Sequence, residues 1–204
     1  MIRDGHRASD VISRLRALFG KHEVTTELVD LNEAARDVIA LSLSELQRSR
    51  VTLRSDLASY LPPVSGDRVQ LQQVILNLLR NAAEAMSAVN DRPRQLVIRT
   101  EREEGDGGRL IVRDTGVGFG SQGVDKLFQP FYTTKSDGMG IGLSVSRSII
   151  ENHNGRLWAE PNDGPGATFS FSIPRRPEDG TSPRTNGRNR APAADVAVQA
   201  RRNS

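Results

Sequence analysis

The sequence contains no cysteine, which excludes a disulfide framework and a metal site built on thiolates. It also has no apolar run long enough to cross a bilayer, and its first residues do not form a signal peptide. A cytoplasmic location is the resulting expectation. The 204 residues, 36% hydrophobic and 26% charged, are enough for one or two domains with a buried core.

The excess of positive charge is confined to the carboxy-terminal segment. Residues 175–204 carry seven arginines and three acidic residues, a net charge of +4, whereas the whole chain carries +3. Residues 1–174 therefore sum to −1, and net charge gives no argument for binding nucleic acid. The tail is rich in Pro, Gly, Ser, Asn and Arg, which predicts a disordered, solvated segment; a weak electrostatic anchor is the alternative.

Hydrophobic periodicity predicts a short amphipathic helix over residues 8–20, which needs a partner to cover its apolar face. Further helices are predicted over 31–49, from Asp67 to about Ala88, and up to about His153, where Asn154 and Gly155 would end the helix. Strands are predicted at 51–57, 95–101, 109–114, 156–160 and 167–173. This order predicts an α+β fold, a two-layer α/β sandwich with helices on a mixed, mostly antiparallel sheet.

Two asparagines lie four residues apart in the predicted helix LQQVILNLLRNAAEAM. Asn77 and Asn81 therefore share one face, which Glu84 extends. Their neighbours are mostly apolar, which indicates a buried helix, and buried amides need partners. A carboxamide oxygen suits a Mg²⁺ ion that arrives bound to phosphates; a pair of solvated polar residues is the alternative.

The segment RLIVRDTGVGFG places a carboxylate at the end of an apolar strand. Asp114 can accept a hydrogen bond from an exocyclic amine such as that of adenine, and it would repel the carbonyl of guanine. Gly116 and Gly118 would let a flat ring approach the backbone, although an Asp-Thr-Gly turn is common without a ligand. The segment also matches the dinucleotide pattern G-x-G-x-x-G, but Pro130 follows where that motif requires a helix, so we interpret the match as accidental.

Three glycines at alternate positions precede a predicted helix in DGMGIGLSVS. Gly138, Gly140 and Gly142 would leave backbone N–H groups unobstructed where the helix begins, and the helix dipole favours an anion there. Phosphate oxygens are therefore the predicted ligand. A flexible loop is the alternative.

In their order and spacing, five segments resemble the ATP-binding domain of sensor histidine kinases, in the superfamily shared with gyrase, the Hsp90 chaperone and MutL. In this chain NLLRNAAEAM resembles the family's N box, and DTGVGFG resembles its first glycine box. LFQPFYTTK is similar to the F box, GMGIGLSVS to the second glycine box and GPGATFSFSIP to the closing strand motif. The resemblance covers about residues 31–174 and implies a Bergerat-type sandwich.

The resemblance implies a role for each matched position. Asn81 would hold Mg²⁺ and Asn77 would lie near the phosphates, both as catalytic residues, while Asp114 would bind the adenine amine. Phe128 and Phe131 would anchor a mobile lid by packing. The other implied ATP-binding residues are Gly116 and Gly118 along the base, Thr168 in its support, Lys135 at a phosphate, and Gly138, Gly140, Gly142 and Leu143 where the lid ends.

The residue at position 77 separates kinase from ATPase within this resemblance. Hydrolysing relatives have a glutamate one turn before the metal-binding asparagine, where this chain has Asn77. Because a neutral amide cannot take a proton from water, the site should present the γ-phosphate for in-line transfer without rapid hydrolysis. A gyrase- or MutL-type ATPase and a non-catalytic nucleotide- or partner-binding module are the alternatives.

No phosphoacceptor is assigned, because none of the three histidines completes the family motif H-[DE]-x-x-[NQT]-P. His6 is followed by arginine, His22 has Glu27 in place of the proline, and His153 ends a helix far down the chain. The expected organisation is the second helix of a dimerisation hairpin over 1–22, the ATP-binding domain over 23–174 and the tail over 175–204.

The resemblance also implies cofactors and partners. ATP and Mg²⁺ are the expected cofactors. The expected protein partners are the receiver domain of a response regulator and a second copy of the chain when the full hairpin is present. No nucleic acid and no membrane segment in this chain are expected.

Overall fold

The computed structural model describes residues 27–103, 107–119, 124–133 and 139–175. The helix predicted over 8–20 lies outside these ranges, as does the predicted disordered tail beyond Arg175.

Three α-helices and seven strands are found within the described ranges. The helices are α1 (Leu31–Arg48), α2 (Arg68–Ala85) and α3 (Gly142–Asn152), and a 3₁₀ helix covers Val124–Phe128. The strands are β1 (Glu27–Val29), β2 (Thr52–Asp56), β3 (Val64–Gly66), β4 (Gln95–Arg102), β5 (Gly108–Asp114), β6 (Arg156–Pro161) and β7 (Ala167–Ile173).

Five of the strands form a mixed sheet in the order β2-β4-β5-β7-β6. β2 runs parallel to β4, and the other neighbours are antiparallel. β1 and β3 form a separate antiparallel pair. The helices pack on one another and on the sheet, which confirms the predicted two-layer α+β sandwich.

The register of β5 decides where its last side chain lies. Leu110 and Val112 are fully buried in the core, and side chains two residues apart along a strand share a face. Asp114 continues this buried face and is itself only 1% exposed. The strand therefore delivers a carboxylate into the side of the sheet that the helices cover.

The observed helices follow the predicted ones closely, with one boundary corrected. Asp30 caps α1 by accepting from the N–H groups of Asn32 and Glu33. Asn154 has a φ of 56° after α3, and the N–H of Gly155 donates to Ile150 O, which confirms the predicted end. α2 ends at Ala85, three residues before the predicted Ala88, with Met86 as its C-cap.

Two short strands, β1 and β3, are not indicated by the sequence pattern. Each has three residues, which is too short for an alternating pattern to emerge. Their pairing brings the chain before α1 against the chain before α2. Within the described ranges, no helix combines the length and the apolarity needed to span a membrane.

A buried histidine joins the end of α3 to the start of α2. His153 Nδ1 lies 2.7 Å from the carbonyl oxygen of Ile149, and its Nε2 accepts a hydrogen bond from the N–H of Asp67 at 2.9 Å. Asp67 in turn caps α2 by accepting from the N–H of Gln70 at 3.1 Å. Gly66 makes room for the ring, because an added Cβ would lie 2.5 Å from His153 Cδ2. His153 is therefore a structural residue.

Replacing His153 by leucine is expected to lower the free energy of unfolding by about 1–3 kcal/mol, because the N–H of Asp67 would lose a buried acceptor. Urea denaturation followed by circular dichroism measures this loss. Glu151→Ala, at the exposed end of the same helix, is the control and should cost less than about 0.5 kcal/mol. An equal loss in both variants would contradict the role of His153.

Candidate nucleotide-binding site

The carboxylate of Asp114 lies at the end of β5 and is buried. Its Oδ1 accepts a hydrogen bond from the N–H of Gly116 at 2.7 Å, and the N–H of Ala167 also donates to the carboxylate. Burial raises the pKa of Asp114 above its usual range, and the two backbone hydrogen bonds offset part of that rise. The structure thus holds a strong, oriented hydrogen-bond acceptor in the interior.

The glycines around Asp114 are required by contacts within the protein. An added Cβ on Gly116 would lie 2.7 Å from Ala85 O, and one on Gly166, which has a φ of 92°, would collide with Asp114 O. Gly118 has a φ of 69° and faces Gly166 O, 3.0 Å from an added Cβ. The sequence interpretation explained Gly116 and Gly118 by a bound ring or by an ordinary turn; the structure adds the close approach of neighbouring segments as a reason for each.

Asn162, which the sequence interpretation did not include, holds the backbone at Asp114. Its Nδ2 donates to Asp114 O at 2.8 Å and to Pro165 O at 3.0 Å. Its Oδ1 accepts from the hydroxyl of Thr168 at 2.7 Å, so Thr168 supports the Asp114 segment through Asn162. The signal available in the sequence was an asparagine inside the turn PNDGPG, next to the closing strand motif.

Arg92 also donates hydrogen bonds to this segment. Its Nε donates to Thr115 O at 3.1 Å, and its Nη2 donates to Gly116 O at 2.9 Å. The hydroxyl of Thr115 donates to Pro93 O and accepts from the N–H of Gln95, both at 2.9 Å. The backbone from Asp114 to Gly116 is therefore held by the side chains of Asn162 and Arg92. Nothing in the sequence around Arg92 marks it for this role.

Asn77 on α2 faces the first turns of α3. Its Nδ2 donates to the hydroxyl of Ser146 at 2.9 Å, and an added Cβ on Gly142 would lie 2.6 Å from its Oδ1. Because Gly142 has no side chain, the two helices approach closely at this point. The structure therefore brings together Asn77 and Gly142, two of the predicted site residues, and adds Ser146.

The amino end of α3 differs from those of the other two helices. Asp30 and Asp67 cap α1 and α2 with carboxylates. The N-cap residue of α3 is Ile141, whose side chain has no hydrogen-bonding group. The first N–H groups of α3, including those of Gly142 and Leu143, thus have no N-cap side chain as an acceptor, an arrangement that attracts anions.

The second half of α2, from Asn77 to Ala85, separates the two chemical ends of the site. Ala85, its last residue, accepts a hydrogen bond from the N–H of Val117 at 3.1 Å, beside Gly116. Asn77 lies eight residues earlier, which corresponds to about 12 Å along the helix axis, and Asn81 lies midway. The face of α2 that carries Asn77 and Asn81 thus runs between the Asp114 carboxylate and the amino end of α3. The amide oxygens are hard ligands that suit a Mg²⁺ ion accompanied by phosphates.

The two phenylalanines in the segment before α3 differ in burial. Phe128 is 7% exposed, and the guanidinium of Arg147 lies 5.6 Å from its ring centroid. Phe131, by contrast, is 74% exposed, and its role as an anchor of the lid stays a prediction. Its backbone makes a contact: the N–H of Phe131 donates to Gly140 O at 2.9 Å, and an added Cβ on Gly140 would lie 2.6 Å from Phe131 C. Lys135 and Gly138 lie outside the described residues.

Residues 66–177, which include this site, match the family described as "Histidine kinase-, DNA gyrase B-, and HSP90-like ATPase". The chain belongs to this ATPase family. A curated relative in it is the sensor protein FixL of Bradyrhizobium diazoefficiens, which is 43% identical over 172 residues covering 84% of this chain and 34% of FixL. The chain thus spans about a third of the length of that relative.

Solved structures of histidine kinases share the fold. The catalytic domain of ThkA is 32% identical with a TM-score of 0.65, over 76% of this chain and 97% of that domain. ThkA bound to the response regulator TrrA gives 27% identity and a TM-score of 0.69, over 86% of this chain and 50% of that chain. Full-length ShkA in complex with AMPPNP gives 25% identity and a TM-score of 0.69, over 81% of this chain and 34% of ShkA. The interpretation as a histidine-kinase ATP-binding domain is confirmed.

The raised pKa of Asp114 predicts how the stability of this ATPase domain depends on pH. The folded protein binds this proton more tightly than the unfolded chain does, so the proton stabilises the fold fully below the ordinary aspartate value of 3.8. That stabilisation is lost as the pH rises through the higher pKa of the folded state.

Asp114→Asn removes the titrating group, so the unfolding free energy of the wild type minus that of the variant should fall as the pH rises from about 4. Urea denaturation of both proteins without nucleotide, from about pH 4 to neutrality, measures this difference. A difference that stays constant over the whole range would contradict the assignment.

Proposed function

We propose that the chain is the ATP-binding catalytic part of a sensor histidine kinase, which binds Mg²⁺ and ATP and presents the γ-phosphate to a histidine on a dimerisation hairpin. One observation carries the proposal: the buried carboxylate of Asp114 lies beside the carboxy-terminal end of α2, and the amino end of α3 meets the same helix at Asn77, eight residues earlier. A nucleoside triphosphate, with a base at one end and anionic oxygens at the other, matches that layout.

The proposed site contains the residues that the family resemblance implied. Asp114 accepts from the adenine amine, and the first N–H groups of α3 bind phosphate oxygens. Asn81 holds Mg²⁺, with the phosphates supplying further ligands. When bound, the ion neutralises phosphate charge for in-line transfer. Lys135 at a phosphate and Gly138 in the lid are kept as predictions.

The identity of residue 77 supports transfer over hydrolysis. Asn77 is a neutral amide whose nitrogen donates to Ser146, so it offers no base to deprotonate water. The γ-phosphate would therefore persist until an acceptor side chain is presented. This argument favours the kinase over the ATPase alternative.

The acceptor histidine is proposed to lie on another domain or chain. His153 is 5% exposed and both ring nitrogens are engaged in the fold, so it is unsuited to receive a phosphoryl group. His6 and His22 lie outside the described residues. Residues 1–22 are proposed as part of a hairpin, through which two chains would dimerise, before an ATP-binding domain over 23–174 and a tail over 175–204.

The proposed downstream partner is the receiver domain of a response regulator, as in the complex of ThkA with TrrA. A cytoplasmic location is proposed with it, since both ATP and such partners are available there.

Asp114→Asn is expected to weaken ATP binding by about 10- to 100-fold, because it removes a charge-assisted hydrogen bond to the adenine amine. It should also reduce the preference for ATP over GTP, since the carboxylate would no longer repel the guanine carbonyl. Displacement of a fluorescent nucleotide measures both affinities. Asp163→Asn, which changes an exposed carboxylate in the β6–β7 turn, is the matched control and should leave both unchanged. Unaltered selectivity in Asp114→Asn would contradict the proposed base contact.

With Mg²⁺ and radiolabelled ATP, the chain alone is expected to release little phosphate and to remain unlabelled at His153. Adding a separately purified hairpin domain with its acceptor histidine should give labelled hairpin, and a variant hairpin without that histidine should not be labelled. Steady phosphate release by the chain alone would instead favour the ATPase alternative. Tight nucleotide binding without transfer to any supplied hairpin would favour a non-catalytic module.

A further inference from the structure

The side-chain amide of Asn77 lies against α3, with its nitrogen hydrogen-bonded there and its oxygen beside Gly142. Its Nδ2 donates to Ser146 Oγ at 2.9 Å, and its Oδ1 is the atom nearest the position where a Cβ of Gly142 would lie, at 2.6 Å. Gly142 and Ser146 are four residues apart on α3 and therefore share one face, one turn apart. The amide lies across that face, with its nitrogen toward Ser146 and its oxygen toward the start of the helix.

This orientation decides which chemistry the amide offers to a ligand. An amide nitrogen donates and would attract phosphate oxygens, whereas an amide oxygen accepts and attracts a cation or its bound water. Since Nδ2 is engaged by the hydroxyl of Ser146, a residue that is 2% exposed, Oδ1 is the atom nearest the amino end of α3. The Asn77 side chain is therefore better suited to interact with the metal ion than with the phosphates.

We infer that Ser146 is a positioning residue for the metal-dependent part of nucleotide binding: its hydroxyl fixes the Asn77 amide with Oδ1 toward the amino end of α3. The inference rests on the proposed function of the site. Without the hydroxyl, the amide can rotate and present Nδ2 to the phosphates, which removes an acceptor for the cation or its water shell and adds a donor for the anion.

The test compares Ser146→Ala with Ser144→Ala. Ser144 is also buried on α3, at 8% exposure, but its hydroxyl donates at 2.8 Å to Ile141 O within the same segment. Each variant removes one buried hydroxyl from the helix, so their effects on folding are comparable. Thermal unfolding of both confirms that they are folded at the temperature of the binding measurements.

The readout is the ratio of ADP affinities measured with Mg²⁺ and with EDTA. Ser146→Ala is expected to reduce the gain in affinity due to Mg²⁺ by about 3- to 10-fold, the value of one hydrogen bond, while the affinity in EDTA stays the same or rises. Ser144→Ala should leave the ratio as in the wild type. The ¹⁵N side-chain amide resonance of Asn77 in the nucleotide-free protein should shift in Ser146→Ala and stay in place in Ser144→Ala.

Three outcomes would overturn the inference. An unchanged ratio in Ser146→Ala would show that the hydroxyl does not orient the amide for the ion. An equal loss of affinity with Mg²⁺ and with EDTA would show that Ser146 acts on the fold of the whole site. Failure of the wild type to bind nucleotide would overturn the proposed function as well, which distinguishes it from the first two outcomes.

Discussion

The buried carboxylate of Asp114 is the constraint on which the rest of the site depends. A carboxylate removed from water is tolerated only when backbone or side-chain donors satisfy it, and here the donors come from Gly116 and Ala167. To deliver them, the end of β5, the end of α2 and the turn before β7 must approach closely. Gly116 and Gly166 meet that requirement, since a Cβ on either would strike a neighbouring carbonyl oxygen.

Helix α2 connects that constraint to the anion-binding end of the proposed site. Its carboxy-terminal residue Ala85 contacts the turn after Asp114, and Asn77, eight residues earlier, meets α3 where Gly142 leaves space. The far end of α3 is fixed to the start of α2 through His153 and Asp67. Because α3 is held at both ends, its first N–H groups keep a defined position relative to the Asp114 carboxylate. The proposed site is thereby preorganised for a ligand with a hydrogen-bond donor at one end and an anionic group at the other.

Much of the fold and the layout of the site follow from the sequence, because caps, apolar periodicity and the order of the glycine boxes are local signals. Asp30 and Asp67 mark the two long helices almost to the residue. The features that could not be predicted are contacts that depend on which distant segment of the chain packs against a given residue. The fit of Gly142 against Asn77 is such a case, and so is the exposed ring of Phe131, where the backbone makes the packing contact.

The central claim, one nucleotide lying along α2 with its base at Asp114, is tested most directly by a crystal structure of the chain with Mg²⁺ and a non-hydrolysable ATP analogue. The account predicts the adenine amine within hydrogen-bonding distance of the Asp114 carboxylate, the phosphates at the amino end of α3, and the ion beside Asn81. A nucleotide whose base points away from Asp114, or whose phosphates lie away from α3, would contradict it.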